Sequence, residues 1–243
     1  MNKILFAVTL LVGLVSTSFA QAEVTGNLGL TSDYRFRGIS QSQNAPAVQG
    51  GIDYTHKSGF YVGNWNSSVS SQLYTNGAGV ESDLYAGYKK ELFGVSFDIG
   101  SYNYFYPRAT TTTSTGSNYD TYEGFVGAGY GPLSVKYNRT LGNSYFGTAN
   151  AKGTEYYQAD FAYPIGATKV ALLAHAGRTY VANSSSLNYS DYNVGVGYDL
   201  QGWAIAAKYY TNGDKSSAFN TANTVNGQKL YRNAAVVSVS KAF

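Results

Sequence analysis

The sequence predicts an all-β fold: a transmembrane antiparallel up-and-down β-barrel of about 12 strands that follows an N-terminal signal peptide. Three observations predict it. Apolar and polar residues alternate along short segments through most of the chain, and the connections between these segments alternate between short and long. Only 13% of the residues are charged, whereas 16% are aromatic and 24 residues are tyrosine. Ordinary soluble domains carry about 25% charged residues.

The first 22 residues have the features of a signal peptide. Lys3 provides a basic start, residues 4–15 are apolar, and Ala20-Gln21-Ala22 is a small-x-small cleavage site. The apolar stretch is shorter than the roughly 20 residues of a membrane-spanning helix. We therefore expect residues 1–22 to be removed and residues 23–243 to form the barrel. Cleavage after Ala20 is the alternative.

Twelve strands are predicted from the alternation. In the first strand, Leu28 and Leu30 share one face while Asn27 and Thr31 share the other. Each segment is near the 9–11 residues that a tilted membrane strand requires. The predicted strands are 24–36, 46–55, 60–69, 80–89, 95–106, 119–130, 133–141, 155–163, 169–178, 189–199, 203–211 and 232–243.

Loop lengths provide the strongest argument for a membrane barrel. The connections after the second, fourth, sixth, eighth and tenth strands are short, whereas those after the third, fifth, seventh, ninth and eleventh are long, as at 107–118 and 212–231. Outer-membrane barrels have short turns at the periplasmic end and long loops at the outer end. A secreted Greek-key β-sandwich is the alternative fold.

The C-terminus points to the same class. Phe243 is the last residue, and Ala235, Val237 and Val239 are in phase with it, although Lys241 interrupts the apolar pattern. We expect Phe243 to be recognised by the outer-membrane assembly machinery and the apolar register to face outer-membrane lipid. The expected location is the cell outer membrane, reached through a cleaved N-terminal signal peptide.

Candidates for enzymatic or metal chemistry are few. The chain has no cysteine and two histidines, His56 in a predicted turn and His175 in a strand whose two faces are both apolar. We predict that neither is catalytic, and no catalytic, cofactor-binding or metal-binding residues are predicted. The formal net charge is only +3 and basic residues are scattered, so no nucleic-acid partner is expected.

The strand register places a set of charged residues inside the barrel. If the apolar register faces lipid, Asp33 and ten further charged side chains point inward. The ten are Arg35, Arg37, Asp53, Glu81, Asp83, Asp98, Glu123, Lys136, Asp160 and Lys208. Two interpretations are open: the charges pair and plug the barrel, or they line a water-filled path.

Three segments carry a family resemblance. They are LTSDYRFRGISQS at 30–42, PAVQGGIDY at 46–54 and GFYVGNW at 59–65. Together they resemble the TorF family, conserved exported proteins of Gram-negative bacteria that are described as porins. The resemblance is specific across about residues 22–100. It implies an outer-membrane barrel and a porin function, and it carries no substrate or site residues.

The expected function is that of an outer-membrane porin allowing passive diffusion of small solutes or ions through a narrow polar lumen. Twelve strands lie between eight, whose interior is just filled by side chains, and sixteen, which leave an aqueous channel. The first alternative is a non-conducting structural or adhesive outer-membrane barrel. The second is an outer-membrane enzyme.

Overall fold

A computed structural model describes residues 22–74, 76–110 and 118–243, which form a closed antiparallel barrel of twelve strands. The barrel strands, numbered in chain order, are β1 (Glu23–Thr31), β2 (Ala47–Thr55), β3 (Phe60–Ser68), β4 (Val80–Leu92), β5 (Val95–Phe105), β6 (Thr121–Tyr130), β7 (Leu133–Thr140), β8 (Glu155–Pro164), β9 (Val170–Tyr180), β10 (Tyr189–Leu200), β11 (Trp203–Gly213) and β12 (Ala234–Ala242). Each strand pairs with its sequence neighbours, and β1 pairs with β12 to close the barrel.

The predicted fold class is confirmed, and the predicted strand bounds agree within three residues except at the end of the first strand. That strand was expected to reach residue 36, but β1 ends at Thr31. The Thr31 hydroxyl donates to the Asp33 carbonyl, and the Tyr34 amide donates to the Ser42 hydroxyl. These hydrogen bonds that involve side chains take the place of backbone hydrogen bonds to neighbouring strands, and the chain turns out of the barrel wall.

The two faces of the wall differ in chemistry. Along β10, Val194 is 62% exposed on the outer surface, whereas its neighbour Asn193 is buried inside the barrel. The same alternation holds in the other strands, and the exposed apolar side chains include Leu28, Ile52, Leu84, Ile99, Val126, Val135, Leu172 and Val237. A belt of this kind is what the lipid-facing surface of a membrane barrel requires. In the described part of the chain, no helix has the length and apolar character to cross a bilayer.

In β9 the sequence pattern does not distinguish the inward face from the outward face, because both are apolar. Its inward residues Ala171 and Leu173 pack against Ala206 of β11, and His175 continues the same inward row. The small apolar side chains therefore fill a part of the interior, and the outward residue Leu172 is exposed.

The two ends of the barrel are unequal. One, the turn end, has the short connections of residues 56–59, 93–94, 131–132, 165–169 and 201–202. The other, the loop end, has the connections of residues 32–46, 69–79, 106–120, 141–154, 181–188 and 214–233, of which 75 and 111–117 lie outside the described residues. The last of these loops contains the helix α1 (Ser217–Ala222).

Phe243 lies at the turn end. Its backbone amide donates to the Gly26 carbonyl, and its own carbonyl accepts from the Gly26 amide, so the C-terminus extends the β1–β12 pairing. Its side chain is 77% exposed.

Candidate functional site in the barrel interior

The loop between β1 and β2 folds into the loop end of the barrel. Within it, Arg35–Phe36 and Ile39–Ser40 pair as a two-residue hairpin, which we call the plug hairpin. Arg37 and Gly38 form its tip, with φ of 47° and 76°. Positive φ at both central residues is the requirement of the tightest hairpin turns.

Gly38 is required where the tip meets the wall. A Cβ at this position would lie 2.4 Å from the Asn212 amide nitrogen and 2.7 Å from Cβ of Asp191. The tip of the plug hairpin therefore rests against β10 and β11.

Arg37 ties the plug hairpin to β6. Its guanidinium donates to both carboxylate oxygens of Glu123, at 2.9 and 2.6 Å, and to the Tyr145 hydroxyl at 3.1 Å. The same guanidinium lies 4.1 Å from the ring centroid of Tyr156 on β8. Two parallel hydrogen bonds and a stacked ring are the contacts that favour arginine over lysine.

Charge and burial set the ionisation of the plug hairpin. Burial disfavours the charged form of Arg37, but the Glu123 carboxylate and Tyr145 beside it hold its pKa well above the ordinary value. Burial, followed by the nearby Glu81 carboxylate, raises the pKa of Tyr34 well above its ordinary value. Arg37 is therefore a cation and Tyr34 a neutral hydrogen-bond donor.

Arg35 stabilises the base of the plug hairpin. Its Nε donates to Asp33 at 2.8 Å, and its Nη1 donates to the Arg232 carbonyl at 2.7 Å. Asp33 also accepts from the Ser40 hydroxyl at 2.6 Å. Arg35, Asp33 and Ser40 are all buried, so this network fixes the loop against the last long connection of the barrel.

Aromatic side chains fill the space between the plug hairpin and the strands β3 to β5. The Tyr34 ring lies 5.4 Å from that of Trp65, and the Phe36 ring lies 5.3 Å from that of Tyr104. Edge-to-face pairs of this type add about 0.5–1.5 kcal/mol beyond their burial. The loop end of the interior is thus closed by packed side chains rather than by backbone pairing with the wall.

The turn end of the interior is polar and partly open to solvent. Asp53, Asp98, Lys136, Asp160 and Lys208 are each half-buried there. Tyr61 donates to Asp98 at 2.8 Å, and the Lys136 ammonium lies 4.4 Å from the ring centroid of Phe125. A cavity of about 30 Å³ is lined by Lys89, Asp98, Lys136 and Asp160, among others. Such a volume holds about one water molecule.

His175 bridges two carboxylates near the middle of the barrel. Its Nδ1 lies 2.6 Å from Asp160 and its Nε2 lies 3.0 Å from Asp191, while the Tyr156 hydroxyl lies 3.0 Å from the same Nε2. A ring protonated on both nitrogens would donate to both carboxylates. Both ring nitrogens are therefore engaged by carboxylates, and Nε2 also contacts the Tyr156 hydroxyl.

The ten residues proposed to line the lumen occupy two levels. Arg35, Arg37, Glu81, Asp83 and Glu123 are buried at the loop end, whereas Asp53, Asp98, Lys136, Asp160 and Lys208 are half-buried toward the turn end. The sequence interpretation missed Lys89 and Asp191. Both have the inward register, Lys89 in phase with Asp83 and Asp191 in phase with Asn193, so the alternation itself was a sufficient signal.

Metal-binding groups are scarce in the described ranges. Across residues 22–74, 76–110 and 118–243, no three or more His, Asp or Glu side chains come together in a way that could hold a metal ion. His56 lies in the first short turn, where its Nδ1 is 2.7 Å from the Ser58 hydroxyl.

The solved structures that resemble this chain have low sequence identity to it. A chain from work on the in-meso crystallization of membrane proteins has a TM-score of 0.55 at 9% identity, with 90% of this chain and 83% of that chain covered. This likeness supports the fold alone.

Two further likenesses have TM-scores below 0.5. The KdgM porin in complex with disordered oligogalacturonate has a TM-score of 0.49 at 12% identity, covering 91% of this chain and 99% of that one. Outer membrane phospholipase A from Escherichia coli has a TM-score of 0.44 at 12% identity, covering 90% and 88%.

The family, in contrast, is shown by sequence. No curated protein matches the chain. The model of one protein family matches residues 16–243, which is nearly the whole sequence. The chain therefore belongs to the Gcw_chp family, described as bacterial proteins of unknown function.

Proposed function

We propose that the chain is a small outer-membrane porin whose loop end is closed by the plug hairpin. The observation that carries the proposal is the contrast between the two levels of the interior. Charged side chains at the turn end are half-buried and reach solvent, whereas the loop end is filled by a hairpin that has no backbone pairing with the barrel strands. Side-chain contacts such as Arg37–Glu123 hold it to the wall, and the Ser40 amide bonds the Leu230 carbonyl of the last long loop. A barrel with a polar interior and a movable constriction suits passive diffusion of small solutes or ions.

A plug built this way can leave without unfolding the barrel. The hairpin Arg35–Ser40 pairs with itself and not with the strands β1 to β12, so its release breaks no backbone pairing between those strands. The main contacts it would lose are the Arg37–Glu123 pair, the bonds of Arg35 to Asp33 and to the Arg232 carbonyl, and the packing of Phe36 on Tyr104. The hydrogen bond from the Ser40 amide to the Leu230 carbonyl would also be lost. We therefore assign residues 35–40 the role of a constriction.

Single-channel recording of the refolded protein in planar bilayers tests the proposal. We expect small, infrequent openings from the wild type. Replacing residues 35–40 with six Gly and Ser residues should give larger and more frequent openings. The matched control replaces residues 224–229, a second six-residue hairpin that is partly exposed at the loop end, and should leave conductance unchanged.

Each outcome is decisive. Absence of conductance from both the wild type and the 35–40 variant would contradict the porin function and favour the non-conducting structural or adhesive barrel. Equal conductance from both would support a porin and contradict the role of the plug hairpin.

Export and assembly form the remaining part of the proposal. We infer that residues 1–22 direct export and are removed, and that the exposed Phe243 presents the C-terminal signal to the assembly machinery. The resemblance to the TorF family stays part of this proposal, because the matching family model bears a different name. No enzymatic activity is proposed, since both nitrogens of His175 face carboxylates.

A further inference from the structure

Unsatisfied oxygen atoms are concentrated at one place in the barrel wall. In the described ranges, twelve buried side-chain polar atoms have no hydrogen-bond partner. Five of the twelve belong to four residues of β4 and the segment around the end of β5. They are Oε2 of Glu81, both carboxylate oxygens of Asp83, and the hydroxyls of Tyr102 and Tyr106.

The four residues face one another. Glu81 and Asp83 are two positions apart on β4, so their side chains share the inward face, and their charges repel each other. Tyr102 lies close to Asp83, and Tyr106 lies close to Glu81. Neither pair has the geometry of a hydrogen bond. Glu81 and Asp83 are 0% exposed, Tyr106 is 1% exposed and Tyr102 is 7% exposed.

The arginines of the plug hairpin do not neutralise this pair. Arg35 binds Asp33 and Arg37 binds Glu123. The Tyr34 hydroxyl donates to Oε1 of Glu81 at 3.2 Å, and Asp83 accepts no hydrogen bond. Buried carboxylates are normally paired with a cation or coordinate a metal, since an isolated buried charge is strongly unfavourable.

We propose that Glu81 and Asp83 bind a calcium-type divalent cation, with the hydroxyls of Tyr102 and Tyr106 beside it and water completing the coordination. All the available donors are oxygen, the atom that hard cations prefer. Two carboxylates balance one divalent charge. Calcium accepts irregular geometry, whereas magnesium demands a near-ideal octahedron that two residues of one strand do not supply.

The site would link the cation to the plug hairpin. Tyr34 of the first loop bonds Glu81, and the Trp65 ring packs on Tyr34 while Trp65 pairs with Asp83 across β3 and β4. The inference is independent of the proposed porin function, because a non-conducting barrel would bind the cation equally.

Trp65 supplies a direct reporter. The chain has two tryptophans, so Trp203→Phe leaves Trp65, beside Asp83, as the single fluorophore. The refolded protein is titrated with CaCl₂, with MgCl₂ and with NaCl at constant ionic strength. We expect a saturable change in Trp65 emission with calcium, with a midpoint on the order of 0.1–1 mM, as in extracellular calcium modules. Magnesium should be weaker, and sodium should have no saturable effect.

The variant Glu81→Gln/Asp83→Asn should lose the calcium response. Calcium at ten times the midpoint should raise the melting temperature of the wild type by about 4 °C and leave that of the variant unchanged. In EDTA the variant should melt above the wild type, because two unneutralised buried charges have been removed. Asp98→Asn, at the turn end, is the matched control and should keep the full calcium response.

Three results would overturn the proposal: no saturable calcium response in the wild type, an equal response in the double variant, or an equal response to sodium. A response to magnesium alone would overturn the assignment to a calcium-type ion. If the double variant does not fold, Asp83→Asn alone should weaken the calcium midpoint at least tenfold, and an unchanged midpoint would count against the site.

Discussion

The guanidinium of Arg37 meets both carboxylate oxygens of Glu123, at 2.9 and 2.6 Å, although 86 positions separate the two residues. Arg37 sits at the tip of the plug hairpin, and Glu123 is the third residue of β6. Both side chains are at most 5% exposed. This ion pair therefore connects the first loop to the far wall of the barrel.

Glu123→Gln should release the plug hairpin. Removing one partner of a buried ion pair costs about 3–5 kcal/mol, and 3 kcal/mol corresponds to roughly a hundredfold rise in the released state. Trypsin should then cleave after Arg35 or Arg37 on the folded barrel, as detected by mass spectrometry. Glu155→Gln is the control, because its pair with Arg139 is exposed and surface pairs contribute about 0–1 kcal/mol. Equal cleavage in both variants would contradict the anchoring role.

His175→Gln should destabilise the barrel by about 3 kcal/mol, since Asp160 and Asp191 would lose the ring that bridges them. Urea unfolding from lipid vesicles, followed by tryptophan fluorescence, measures the change. His56→Gln is the matched control in an exposed turn and should stay within about 0.5 kcal/mol of the wild type. A loss of the same size in both variants would show that the bridge does not stabilise the fold.

Val194→Arg should impair folding into bilayers. Val194 is 62% exposed at the middle of β10, where an outward arginine costs about 2–4 kcal/mol in a membrane. Val24→Arg is the matched control: Val24 is 69% exposed but lies at the turn end of β1, where the cost falls to about 0–1 kcal/mol. Vesicle refolding yields compare the two. Equal yields would argue against a lipid-facing belt at this height.

An epitope tag tests the orientation. Inserted between Asn226 and Gly227, at the turn of a loop-end hairpin, it should bind antibody on intact cells. A tag at Gly166, in a short turn, should be detected only after the outer membrane is opened. Detection in the reverse order would place the long loops in the periplasm.

If the barrel conducts, it should prefer cations. The inward-facing residues comprise five basic and eight acidic side chains once Lys89 and Asp191 are added. The difference is −3, or −1 when Glu81 and Asp83 hold the proposed divalent cation. Interior charge concentrates counter-ions, while loop charges in bulk salt are screened within about 10 Å. Reversal potentials in a KCl gradient should show a mild cation preference that weakens at high salt. A clear anion preference would mean that the loops, not the interior, control selectivity.

The sequence by itself determined the wall of the barrel. Alternation with a period of two is a local property, so each strand and its lipid-facing side could be assigned without knowledge of its partners. The short and long connections then set the two ends. Lys89 and Asp191 lie in the same inward register, so the alternation also assigns them to the interior.

Only the tertiary structure decided how the interior is filled. Ser32, Tyr34 and Phe36 continue the alternation of β1, yet this segment leaves the wall. It does so because Arg37 pairs with Glu123 on β6 and because Gly38 packs against Asp191 and Asn212. The bridge of His175 depends on the register of three adjacent strands. The unsatisfied oxygens of Glu81 and Asp83 emerge only once every other partner is placed, since pairing inside a closed barrel joins residues that are distant in sequence.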